Sequence, residues 1–467
     1  MKSKICFIYP PKQMANKLYY TKKIWKIYSK NAIKLPSLAL AYLASTMREK
    51  GYEVMIIDAN AEDLSVCEVI KRLWKEQPDY LCFSTITDTF QETLESIREI
   101  KQMCNKPVII GGPHMGIYPK ESLEYKEIDY GVVGDGFETF PELIKTIDEE
   151  KDISKVKGIC YRKKGKVILN FPRCSRVNLD QVPFPARDLL PNNKYNIVLS
   201  QRKPVTVMVT ALGCPFKCAY CCTDTNVVYR SPKSVVDEIE DCIKLGIREI
   251  DFYDETFTIN RKRTIEILNL IKERNLDILW SIRTRVDCVD KELINRMAEV
   301  GCIRINYGIE SADEDVLKSV DRYMKIDRVR EVVKWTKDAG ITVLGFFMIG
   351  LPGETRSQMY RTLDLMKELD LDFIQLNKFT PIPNSKIYHK MVEEHKIDYW
   401  KEYVKGNYPL ERIPHYKLTI TNEKLDKLLE KGYNEFYFRP SYIWKKLKGI
   451  RSFGEFWRLA KGALDLK

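Results

Sequence analysis

The chain repeats one unit: short apolar runs alternate with segments of helical period, in two series separated by a proline-broken stretch. In residues 1–150, the segments 5–9, 53–58, 80–84, 107–111 and 130–134 read as buried strands. Between them, 38–50, 66–76 and 90–103 carry apolar residues at helical spacing. Such a βαβ series predicts a doubly wound, Rossmann-like parallel sheet whose ligand lies at the carboxyl ends of the strands. From 205 to about 383 there are six further strand-helix pairs. Their strands read at 205–211, 249–253, 279–283, 304–308, 342–349 and 373–379. Repeated βα units close into a full or partial barrel with its site at the strand carboxyl ends. The stretch 151–202, with its Asp180-Gln-Val-Pro-Phe-Pro185 segment, reads as a linker, and 389–467 as a helical C-terminal region. The expected class is α/β: doubly wound domain, partial barrel, helical extension.

Directly after the first barrel strand stands Cys214-Pro-Phe-Lys-Cys218-Ala-Tyr-Cys221. Isolated cysteines in a reducing compartment are mostly small buried hydrophobes. That reading suits Cys6, Cys82, Cys160, Cys242, Cys288 and Cys302, each in or beside an apolar stretch. It does not suit three thiols within eight loop residues. A zinc site would need a second ligand pair, and no C-x2-C or H-x3-H partner occurs elsewhere. Three thiolates can hold three irons of a 4Fe-4S cluster and leave the fourth iron open to a small molecule. Cys222 offers a second C-x3-C step and competes with Cys221 on spacing alone.

This spacing, with aromatic Tyr220 before the third cysteine, resembles the radical S-adenosylmethionine (SAM) superfamily. The resemblance implies that Cys214, Cys218 and Cys221 ligate the cluster and that Tyr220 faces adenine. It also gives roles to residues at successive strand ends. Glu255, rather than its neighbour Asp254, holds the SAM amino group; Arg285 pairs with the methionyl carboxylate; Glu310 accepts the ribose hydroxyls; Gly350 lets backbone approach adenine. The front domain, with Leu35-Pro-Ser37, Gly111-Gly112-Pro-His114 and Gly134-Asp-Gly136, resembles the cobalamin-binding domain fused to many such enzymes. Ser37, Thr85, Gly111, Gly112, His114, Gly134 and Gly136 are the expected corrin neighbours. The D-x-H-x-x-G pattern is absent, which implies base-off cobalamin without a histidine ligand.

As chemistry, the resemblance implies reductive cleavage of SAM to a 5′-deoxyadenosyl radical that takes hydrogen from an unactivated carbon. Methyl transfer from methylcobalamin completes the reaction, or, in the alternative, cyclisation, ring contraction or rearrangement of a hydrophobic, lipid-like substrate. The expected partners are a small-molecule substrate and a reducing donor such as flavodoxin or ferredoxin. A methylthiotransferase acting on RNA is disfavoured, because Cys6, Cys67, Cys82 and Cys104 form no tight group that could hold a second cluster.

Composition bounds the rest. No G-x-G-x-x-G opens the first helix, so a dinucleotide is not expected. Neither a signal peptide nor a membrane span is read, and the cysteine usage suits the cytoplasm. Of the net charge of +12, about half lies in 439–467, which holds eight Lys/Arg against two Asp/Glu. There Trp444, Leu447, Ile450, Phe453, Phe456, Trp457 and Leu459 alternate with basic residues. That tail reads either as an interfacial helix on anionic lipid or as a helix packed on the barrel with a basic outer face.

Overall fold

The computed structural model describes residues 2–11, 17–30, 34–171, 173, 177–197 and 199–449. The tail residues from Ile450 onward, and the expectations placed on them, lie outside the described residues.

The front domain is a seven-stranded sheet of order β2-β1-β3-β4-β5-β6-β7. Its strands are β1 Lys4–Tyr9, β2 Glu53–Asp58, β3 Tyr80–Ser84, β4 Val108–Gly111, β5 Tyr130–Val132, β6 Ile159–Lys163 and β7 Lys166–Leu169. The first five run parallel. Residues of alternating parity enter two separate cores, Ile5 and Phe7 on one face and Cys6 and Ile8 on the other. Helices therefore cover both faces, and the strands are apolar throughout because neither face meets water. The order 2-1-3-4-5 puts the topological switch between β1 and β3, where a crevice opens beyond the strand ends.

The hairpin of β6 and β7 pairs antiparallel with β5. The sheet thus runs to Leu169 and not to about residue 150. The stretch read as linker supplies its last two strands, because the Tyr130–Val132 edge would otherwise leave its N–H and C=O groups without partners.

The second sheet has six strands in the order β15-β14-β13-β12-β11-β8. They are β8 Val205–Met208, β11 Glu249–Phe252, β12 Leu279–Thr284, β13 Cys302–Glu310, β14 Thr342–Ile349 and β15 Phe373–Lys378. All pair parallel. Two short strands, β9 Ala211–Leu212 and β10 Val228–Tyr229, pair beside the cysteine loop. Along β14 exposure alternates strictly: Val343, Phe347 and Ile349 are buried under helices, whereas Leu344, Phe346 and Met348 are half-exposed on the inner face. That alternation marks an open lumen opposite the helical layer.

Both edges of this half-barrel are closed by side chains. At β15, Tyr433 and Tyr437 lie one turn apart on helix Asn422–Tyr437. The Tyr433 hydroxyl takes the Leu376 N–H and donates to the Leu376 carbonyl, both at 3.0 Å. Tyr437 does the same for Ile374 at 3.2 Å. At β8 the fully buried Arg187 donates to the Val207 carbonyl at 2.9 Å and pairs with Glu238 at 2.6 Å. The C-terminal region also ties the two domains together, since Gln91 donates to the carbonyls of Tyr403 and Val404. Among the described residues no helix is long and apolar enough to cross a membrane.

Candidate active site

The cysteine loop leaves β9 through Gly213, at φ +94°. A Cβ there would stand 2.5 Å from the Asn226 carbonyl, so only glycine makes this turn. The Cys214 N–H donates to the Asp224 carbonyl, and Cys221 N–H to that of Cys218. In the middle, Ala219 donates to the Val320 carbonyl and accepts from Ile387. The loop is therefore pinned from both sides while Cys214 stays half-exposed and Cys221 exposed. Cys222 is exposed as well. Among the described residues no three ligating side chains converge as a single metal ion requires. A four-iron cluster takes one thiolate per iron, so its ligands ring it instead of meeting at a point.

Two guanidinium groups flank Cys218: Arg285 Nη1 and Arg322 Nη1 each stand 3.9 Å from Sγ. Arg285 is otherwise engaged. Its Nε and Nη2 bind both oxygens of Asp287 at 2.8 and 2.6 Å, and its guanidinium lies 3.8 Å over the Phe216 ring. A methionyl carboxylate would meet only a guanidinium already held by Asp287. In this arrangement Arg285 braces the loop.

Arg322, which the sequence does not single out, is the hub of the mouth. It donates to the Tyr220 hydroxyl at 3.2 Å, to the Gly308 carbonyl, and lies 3.9 Å from Glu310. Its Nε is buried without a partner among the described residues. Glu310 itself sits at φ +70°, where pairing of β13 with β14 slips between Gly308 and Glu310. A bulge re-aims a side chain, and a non-glycine residue held left-handed is a strained position typical of ligand sites. Burial pushes the Glu310 carboxyl up, and Arg322 opposes that shift.

Asp254 and Glu255 separate cleanly. Asp254 is buried and accepts from the backbone of Thr210 and Ala211 at 2.6 and 3.2 Å, so it orders the end of β8. Glu255 turns outward toward the loop; desolvation by its protein neighbours raises its carboxyl, and Asp254 adds to that. Gly350 is at φ +84°, but a Cβ there would press on Leu425 and Leu418 at 3.1 and 3.3 Å. Its demand for glycine comes from turn geometry and helix packing, not from an open face toward adenine.

The second feature is a cavity of about 500 Å³ at the β1/β3 switch point. Gly111, Gly112, Gly134 and Gly136 line it, as expected. Ser37, Thr85 and His114 do not. Thr85 is buried against Thr93. His114 is wholly buried, with its ring nitrogens on Thr87 and Ser122 at 3.2 and 2.8 Å and its ring stacked on Phe90. Burial pushes its imidazole down to about 3, so it is a neutral core residue. In their place stand Ser84, Leu38, Tyr42 and Phe137, with Val209, Leu212 and Arg230 from the barrel side. At Gly116 and Gly134 the place of a Cβ is open space. Glycine edges over a deep apolar slot fit a corrin. Among the described residues that line it there is no histidine or methionine.

The structure thus joins a switch-point slot to a half-barrel with three thiols at its mouth. The family model for the radical SAM superfamily matches residues 208–405, and that for the B12 binding domain matches 28–144. An uncharacterized methyltransferase of Pyrococcus horikoshii is 33% identical over 422 residues, covering 88% of this chain and 90% of that one. An anaerobic magnesium-protoporphyrin IX monomethyl ester cyclase of Rubrivivax gelatinosus is 29% identical, over 79% of this chain and 68% of that one. The structure of the cobalamin-dependent SAM radical enzyme OxsB, with aqua-cobalamin and SAM bound, superposes with a TM-score of 0.74 at 17% identity. It covers 100% of this chain and 72% of that one. This chain belongs to the cobalamin-dependent radical SAM enzymes. Its cofactors are accordingly a 4Fe-4S cluster, SAM and cobalamin.

Proposed function

We propose that this enzyme transfers a methyl group to an unactivated carbon of a small molecule. The carrying observation is contiguity. The cavity suited to a corrin is lined by Leu212, two residues before Cys214, which supports a reading in which the two cofactor sites are neighbours. Cys214, Cys218 and Cys221 would hold the cluster. Tyr220, Glu255 and Glu310 would face SAM, and Gly111, Gly112, Gly134 and Gly136 the corrin. When bound, the cluster with SAM supplies hydrogen abstraction, and cobalamin supplies a transferable methyl group.

The chain's own part is placement. Arg322 holds the Tyr220 hydroxyl and Glu310 in one arrangement, and the cysteine loop is pinned on both sides. The likeness to the Rubrivivax cyclase keeps radical cyclisation as a second reading. Anaerobically reconstituted enzyme turning over its substrate separates them. Methyl transfer yields S-adenosylhomocysteine together with 5′-deoxyadenosine; deoxyadenosine alone establishes the cyclase-like reading. Cys214→Ala should abolish both products.

A further inference from the structure

The inner face of the half-barrel carries three carboxamides that none of the cofactor roles engages: Asn306 on β13, and Gln375 and Asn377 on β15. Their strand neighbours Ile305, Tyr307, Ile374 and Leu376 enter the core under the helices, so the carboxamides face the lumen. Asn306 is 3% exposed, and its Oδ1 is buried without a hydrogen-bond partner among the described residues. Asn377 is half-buried, and its Oδ1 is likewise buried and unpaired. The half-buried Gln375 side chain makes no hydrogen bond to a described residue. Buried amides are as a rule paired, and one left unpaired costs free energy. Three of them on one face mark a place where a ligand completes the bonding.

The charged groups of the same face are matched among themselves. Arg283 pairs with Asp251, which also stands 3.6 Å from Arg304. Glu249 is the second carboxylate there and accepts from the N–H groups of Gln201 and Arg202. Arg283 and Arg304 against Asp251 and Glu249 leave this wall without net charge. Apolar side chains set the spacing of the carboxamides. Asn306 lies beside Leu344 in the sheet register, Leu344 beside Phe373, and Phe346 beside Gln375. Asn306 and Gln375 therefore flank a stripe of Leu344 and Phe346, two strand spacings or about 10 Å apart. A carboxamide offers an acceptor oxygen and an N–H donor pair side by side. An anion satisfies only the donors and a cation only the oxygen, whereas an uncharged amide satisfies both.

We propose that Asn306 and Gln375 set substrate specificity by binding an uncharged amide of the substrate, while its carbon skeleton lies along Leu344 and Phe346. The assignment rests on the lumen serving as the substrate chamber, as the proposed function requires, and it names the substrate class.

The probes are 3-phenylpropanamide, its N,N-dimethyl derivative, which keeps the carbonyl and lacks the N–H donors, and the anion 3-phenylpropanoate. Each is titrated into cofactor-loaded enzyme with SAM present. The primary amide should bind tenfold or more tightly than either of the others. Asn306→Leu should erase that preference and Gln375→Leu should reduce it severalfold, with SAM affinity unchanged in both. Equal binding of the three probes overturns the assignment, as does tighter binding of the carboxylate. So does a preference that survives both variants, or a loss of SAM affinity in them, which would make the carboxamides cofactor contacts. Should Asn306→Leu fail to fold, Gln375→Leu carries the test, since its side chain is only half-buried. Iron and cobalt contents are read on the same samples. Their failure counts against the cofactor sites, whereas the ranking of the probes decides the amide assignment in either case.

Discussion

At the scale of single residues, Glu354 shows how the mouth is tuned. Its carboxylate accepts from the N–H groups of Gly350 and Leu351 at 2.7 and 3.1 Å and so folds the turn after β14. It is 1% exposed, and burial pushes its carboxyl from 4.5 up to about 7, against those two hydrogen bonds. The folded state then keeps a proton that the unfolded chain releases near 4.5. Between these values the folded state binds more protons, so stability falls as pH rises through that window and the whole penalty is present above about 7. At about 1.4 kcal/mol per unit the penalty is on the order of 3 kcal/mol. Glu354→Gln keeps an acceptor for both N–H groups and removes the titration. Its denaturation midpoint should decline less steeply than that of the wild type between pH 4.5 and 7 and should lie higher above pH 7. Parallel slopes in the two proteins would refute the assignment.

Strand and helix scale is where the sequence was most legible. Alternating apolar runs and helical periods located every parallel strand, because each is buried on both faces or covered on one by helices. Helices Val66–Glu76 and Phe90–Met103 have the bounds their periodicity predicts. The cysteine spacing likewise placed the loop at the first strand end. What stayed hidden depends on tertiary contact. The hairpin of β6 and β7 is too short to declare its sheet. Helix Glu314–Ser319 has only two buried residues, Val316 and Leu317, and no period to read. Arg322 lies just beyond it, and nothing local tells a buried arginine from a solvated one. Ser37, Thr85 and His114 do not line the cavity, because a loop's glycines reveal where backbone approaches a ligand, while neighbouring side chains can point either way.

Two outcomes test elements. Tyr433→Phe leaves the N–H and carbonyl of Leu376 on β15 without partners, at a cost of about 1–3 kcal/mol. The midpoint should drop, and hydrogen exchange at the Leu376 amide should accelerate while β11 stays protected. Gly116 ends the short turn Pro113–Gly116 and faces open cavity. Its backbone is not left-handed, so Gly116→Leu adds bulk there without strain. Cobalt content should fall at least tenfold with iron unchanged; full cobalt loading would show that the corrin lies elsewhere.

At the scale of the whole molecule, the connecting stretch and the barrel are joined at a buried charge. Glu238, on the barrel helix Pro232–Lys244, is fully buried and pairs with Arg187 at 2.6 Å and with Arg230. Arg187 comes from the connecting stretch and caps the β8 edge; Arg230 comes directly after β10 and lines the corrin cavity. One carboxylate thus holds the connector, the barrel and the cavity wall in register. A buried pair contributes little net stability when intact, but removing one partner strands the other at about 3–5 kcal/mol. Here a single change strands two guanidinium groups. Glu238→Gln should therefore lower the unfolding midpoint far more than any surface pair, for instance Lys427 with Glu423. Because Arg230 is freed to turn into the cavity, cobalamin affinity should fall in the same variant while the iron content of its folded fraction is retained. A variant that is destabilised yet binds cobalamin as tightly as the wild type would confine Glu238 to holding the β8 edge. The cavity wall would then be set by the front domain alone.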